Sequence, residues 1–168
     1  GCTPAYLAAL YGRTESLRAL HELGAAASLV AADSDGSTPA HSAARYGHTD
    51  CLRALHELGA AASFVAVDND GATPAHHAAR NVKDDCLRAL HELGAVASLV
   101  AVDKNGATPA HIAAEEGYTD CLHTLHELGA AASLVAVDSN GWTPAHLAAQ
   151  NGHADCLRAL HELGAAAS

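Results

Sequence analysis

The chain has 168 residues, 49% of them apolar and 17% charged, with 9 basic against 19 acidic side chains and a formal charge of −10. This balance excludes a disordered tail, which combines low hydrophobicity with high charge, and an acidic chain offers no basic stripe for a nucleic-acid backbone. No apolar run approaches the roughly 18 residues of a membrane helix, and the start shows no basic leader. With one Phe, one Trp, four Tyr and no Met, the core is expected to use Ala, Leu, Val and Cys. Such a core requires close backbone approach.

The chain repeats itself. Gly-x-Thr-Pro-Ala begins at Gly1, Gly36, Gly71, Gly106 and Gly141, an interval of 35 each time. His-Glu-Leu-Gly-Ala begins at His21, His56, His91, His126 and His161. The units are 1–35, 36–70, 71–105, 106–140 and 141–168 of one continuous array. The first helix of a unit starts at Thr73, a natural N-cap, followed by Pro74, whose missing N–H costs nothing in the first turn. It stops near Asn81, and elsewhere at Gly12, Gly47, Gly117 and Gly152, where left-handed backbone is cheap. Val82 stands where those glycines stand, so the spacing predicts that Asn81 turns left-handed instead or that the turn reshapes. A second helix runs from about Asp84 to Leu93, with Cys86, Leu87, Leu90 and His91 on its inner face and Asp85 paired with Arg88. Gly94 ends it, Ala95 to Asp103 runs extended, and Asp103 to Gly106 forms a turn. Neither short helix buries its apolar face alone, whereas stacked neighbours do.

This pattern resembles the ankyrin repeat over the whole chain. The Thr-Pro-x-His-x-Ala signature appears at Thr38, Thr73, Thr108 and Thr143, with Tyr6 in place of the first His. Gly-His follows the first helix at Gly47 and Gly152, and Gly-Ala follows the second helix in all five units. The resemblance implies an all-α solenoid of stacked helix pairs with extended finger or hairpin loops. It also implies that His41, His76, His111 and His146 tie each helix start to the adjacent finger. The period is 35 against the family's 33, and the added residues are expected within Ser28 to Ala31 and its copies.

Other chemistry is weakly supported. The ladder His21, His56, His91, His126 and His161 reads as half-buried between second helices. Packed helices lie about 8–10 Å apart, too far for neighbouring ladder imidazoles to share one metal. His48 with Cys51, and His153 with Cys156, supply two ligands where a structural zinc takes four. Cys51, Cys86, Cys121 and Cys156 occupy equivalent positions, so they read as buried hydrophobes in a reducing compartment; a catalytic cysteine would be singular. Asp33 and Asp68 open calcium-like loops, but Ala44 and Ala79 stand where the last ligand belongs, so Asx turns are expected. No catalytic set, cofactor or metal is expected.

Comparison between units singles out the varied positions. At the finger tips these are Ser34, Asp35, Asn69, Asp70, Lys104, Asn105, Ser139 and Asn140, with Ser37 and Trp142 just beyond. At the end of the first helix they are Arg45, Tyr46, Arg80, Asn81, Glu115, Glu116, Gln150 and Asn151. In the family that the chain resembles, these places line a concave groove that contacts partners. Drift at exposed sites is the competing reading, but the second-helix exterior keeps Glu22, Glu57, Glu92, Glu127 and Glu162 unchanged. The expected function is a protein-binding scaffold, acting as a single chain in the cytoplasm or nucleus. Its partner would carry an apolar anchor near Trp142 and a charge gradient, positive toward Glu115. A spacer array in a larger protein is the alternative. Leu147, Leu157 and Leu160 keep internal-type positions in the last unit, and the chain opens on Gly1, so a longer array is expected.

Overall fold

The computed structural model describes residues 1–165; residues 166–168, the end of the fifth unit, lie outside the described part. Twelve α-helices follow in order: α1 (Pro4–Leu10), α2 (Thr14–Glu22), α3 (Pro39–Tyr46), α4 (Thr49–Glu57), α5 (Pro74–Arg80), α6 (Asp84–Glu92), α7 (Val96–Val100), α8 (Pro109–Glu116), α9 (Thr119–Glu127), α10 (Ala131–Val135), α11 (Pro144–Asn151) and α12 (Ala154–Glu162). The first helices α1, α3, α5, α8 and α11 pack in one layer, and the second helices α2, α4, α6, α9 and α12 in another. No strand occurs among the described residues.

Local chemistry sets each start. Thr38, Thr73, Thr108 and Thr143 hold extended backbone ahead of a proline at the first helical position. Each closes a capping box in which His at the third helical position replaces the usual Glu or Gln. Alanines such as Ala40, Ala75 and Ala110 are fully buried and let the first helices approach closely, while Leu52, Leu87, Leu122 and Cys51, Cys86, Cys121 fill the space behind them. Valine has no share in this core: all nine valines lie at the surface. The expectation of valine packing fails because Ala, Leu and Cys already close the space between the layers.

Four further expectations change. The segment after each of the first four second helices is not extended throughout but begins with a helical turn, α7 and α10 in two units and the 3-10 turns Ala26–Leu29 and Ala61–Phe64 in the other two. Its serine starts the turn, with both the N–H and the hydroxyl of Ser63 donating to the Ala60 carbonyl. Winding takes up chain at about 1.5–2 Å per residue instead of about 3.3 Å and brings Leu29, Phe64, Leu99 and Leu134 into the core.

At the α5–α6 turn, Val82 itself adopts positive φ, +54°, while Asn81 stays right-handed at φ −114°. The Asn81 amide donates to the His77 carbonyl at 2.8 Å, which fixes Asn81 at the helix end. The Lys83 N–H then reaches Ala78 O at 2.9 Å, as the His48 N–H reaches Ala43 O. The turn therefore keeps the geometry of its glycine counterparts and places the strain on Val82.

On the outer layer, Arg88 does not turn back to Asp85 but reaches Glu127 of the next unit at 2.9 Å. Arg18–Glu57 at 2.7 Å and Arg53–Glu92 at 2.9 Å repeat the rung. Glu57, Glu92 and Glu127 thus have a structural reason, so their constancy no longer argues that the varied positions are functional; Glu22 and Glu162 form no such rung among the described residues. Of the second histidine ladder, His21, His56, His126 and His161 are exposed and only His91 is half-buried. They lie in the last turn, beyond the inward leucines.

Candidate functional site

Four fingers project beside the first helices, each closed by its own aspartate. Asp68 Oδ1 accepts the N–H groups of Asp70 and Ala72, both at 2.9 Å, and Asp33, Asp103 and Asp138 do the same in their own turns. These are Asx turns. Neighbouring fingers share a backbone bond: Asn69 N–H to Asp35 O, Lys104 N–H to Asp70 O and Ser139 N–H to Asn105 O, at 2.8–2.9 Å. The approach requires glycine, since a Cβ on Gly71 (φ +79°) would lie 2.8 Å from the Lys104 nitrogen.

Buried histidines fix the fingers to the helices. His41 Nδ1 accepts the Thr38 N–H, and its Nε2–H donates to the Ala72 carbonyl of the next finger at 3.0 Å. His76 and His111 repeat this with Ala107 and Trp142. These bonds require the neutral imidazole protonated at Nε2. Burial lowers the pKa of His41 to about 4 and lowers those of His76 and His111. His146 keeps the bond from Thr143 but is exposed.

Fingers and first helices enclose two adjoining hollows. One, about 600 Å³, is lined by Arg45, Asp68, Asp70, His77, Arg80, Asn81, Asp103, Lys104 and Asn105. The other, about 330 Å³, is lined by Arg80, Asp103, Asn105, Ile112, Glu115, Asp138, Asn140, Trp142, Leu147 and Gln150. Arg80, Asp103 and Asn105 belong to both. The first is polar: His77 Nε2 lies 2.8 Å from Asp68 Oδ2, and its ring meets His41 edge-on at 5.5 Å. Arg45, Arg80 and Lys104 form no ion pair among the described residues. The second is partly apolar, with Trp142 36% exposed and stacked on His146 at 6.5 Å.

The structure thus gathers Arg45, Asp70, Arg80, Asn81, Lys104, Asn105, Glu115, Asn140, Trp142 and Gln150. Ser34, Asp35, Ser37, Tyr46, Asn69, Glu116, Ser139 and Asn151 line neither hollow. Two of these have side chains engaged locally, Asn69 with Ser34 O and Asn151 with Leu147 O. Sequence comparison missed His77, Ile112 and Leu147. The signal was available: the position after the signature His holds Ser42, His77, Ile112 and Leu147 in successive units.

The chemistry on offer is hydrogen bonding, charge and apolar contact. All five thiols are free, and four are buried. Burial pushes Cys86 up to about 12 and raises Cys51, Cys121 and Cys156, which removes the thiolate needed for nucleophilic attack. His48 Nε2 faces the Leu10 carbonyl at 3.1 Å and is engaged in holding neighbouring units together. Among the described residues no group of three metal-ligating side chains converges, and no helix is long and apolar enough to cross a membrane.

No curated protein matches the chain. The family model described as ankyrin repeats (3 copies) matches residues 1–64, 60–135 and 92–167, nearly the whole length. With ten of the twelve helices among the described residues stacked as five repeating pairs, the chain belongs to the ankyrin-repeat family.

Proposed function

We propose that the concave face is a protein-binding site centred on the two hollows. Ankyrin repeats are generally protein–protein interaction modules, and proteins built from them are typically non-enzymatic scaffolds. The observation that carries the reading is that side chains differing from unit to unit converge in the hollows, while histidines, aspartates and alanines common to the units build the wall behind them. An apolar anchor fits against Trp142, Ile112 and Leu147. Negative groups of the partner face Arg45, Arg80 and Lys104, and positive groups face Glu115. Free, mostly buried thiols suit a reducing compartment.

The spacer reading draws on the Arg–Glu rungs, which need no partner to explain them. Affinity capture with the intact array, repeated with Arg80→Glu and Trp142→Ala, separates the two readings. Partners lost from both variants support the groove. No protein held by the intact array, or proteins held equally by all three, supports the spacer.

A further inference from the structure

Valine is among the residue types most often found inside proteins, yet each of the nine valines is 38–59% exposed. Eight of them, all but Val82, lie in the segments between a second helix and the following finger. Each segment is anchored by one large buried side chain, Leu29, Phe64, Leu99 or Leu134, with Ser63, Ser98 and Ser133 buried beside the last three, and turns its valines outward. Val67, Val102 and Val137 mark one position at intervals of 35. Helices α7 and α10 touch each other, so successive units set their valines in a row. The stretches 59–67, 94–102 and 129–137 contain no charged residue.

We propose that this row is a contact between two copies of the chain, laid side by side and antiparallel about a two-fold axis. The row repeats at the helix-stacking distance of about 10 Å, and a second copy has the same pitch, so the valines of one row fit between those of the other. Each chain carries a charge of −10, and the uncharged row is where two acidic copies meet with least repulsion. With about 100 Å² for a whole valine side chain, the row offers roughly 400 Å². That is half of the about 800 Å² per partner in a standard interface, with flanking alanines and a polar rim supplying the remainder. This replaces the single-chain expectation and leaves the groove free.

Sedimentation of the full chain over about a hundredfold range of concentration tests the proposal. The expected result is a mass rising from one copy to two, with Val67→Lys and Val102→Lys each raising the dissociation constant about tenfold or more. Lysine lowers the net negative charge, so weaker association cannot come from added overall repulsion. Circular dichroism checks the fold, and Val102→Thr, nearly isosteric, serves if lysine disturbs it. A one-copy mass at every concentration overturns the proposal. So does a dimer that survives the valine variants, or one that dissociates on Arg80→Glu in the groove. Flotation of one-copy protein with neutral phosphatidylcholine vesicles would assign the row to lipid and overturn it as well.

Discussion

His76 locks the third unit to the fourth: its Nε2–H donates to the Ala107 carbonyl 3.0 Å away, while its Nδ1 accepts the Thr73 N–H at 3.1 Å. His41 and His111 make equivalent links. Both bonds need a neutral ring, so protonation breaks one of them and places a charge in the interior. The folded pKa values lie below the unfolded value of about 6.5. Between the two, the unfolded chain binds more protons, so stability is full above about 6.5 and falls as pH drops. For His41, with a folded value of about 4, the loss at pH 5 is about 2 kcal/mol. Thermal unfolding between pH 7.5 and 5 checks this. A midpoint that stays level across that range would contradict the neutral links.

Val82 holds left-handed backbone with a half-exposed side chain. A β-branched residue there is strained by about 1–3 kcal/mol, offset by the entropy that glycine loses on folding, about 0.5–1 kcal/mol. Val82→Gly should therefore stabilise by about 1 kcal/mol, read as a higher denaturant midpoint at unchanged slope. Destabilisation would mean that the valine contacts outweigh the strain.

Asp84 occupies the position of Thr14, Thr49 and Thr119. Thr14 and Thr119 set their hydroxyls 3.5 and 3.4 Å from Cys51 and Cys156 of the next unit; the Asp84 carboxylate meets Cys121 in the same way but leaves its Oδ1 buried without a partner. Burial raises its pKa, so the carboxylate destabilises the fold above that raised value and the penalty fades as pH falls through it. Asp84→Thr is expected to add about 1 kcal/mol at pH 7 and progressively less in acid. Equal stability of the two proteins at pH 7 would show that the carboxylate is satisfied.

Much of this was legible in the sequence because the repeat states each local rule several times. Thr73–Pro74 marks a helix start wherever it occurs, and Asp68 closes its turn through bonds only two and four residues away. What escaped depends on neighbouring units. Arg88 meets Glu127, 39 residues on, and no helical spacing predicts that. The helical turn at α7 was hidden because alanine and valine suit both extended and helical backbone when periodicity is absent. His77 was passed over because its partner, Asp68, lies on the finger rather than on its own helix. The gathered groove residues were found by their variation together with the family resemblance, which mark a surface but not its hollows.

A partner seated in the groove can be detected at one atom. Trp142 is the single tryptophan and lines the second hollow, so a chain grown with 5-fluorotryptophan has one fluorine, within the site. The measurement is its fluorine resonance during titration with a captured partner. The groove account predicts a saturable shift or broadening that follows binding and disappears in Arg80→Glu. A resonance unchanged while the partner demonstrably binds would place the contact elsewhere and contradict the account.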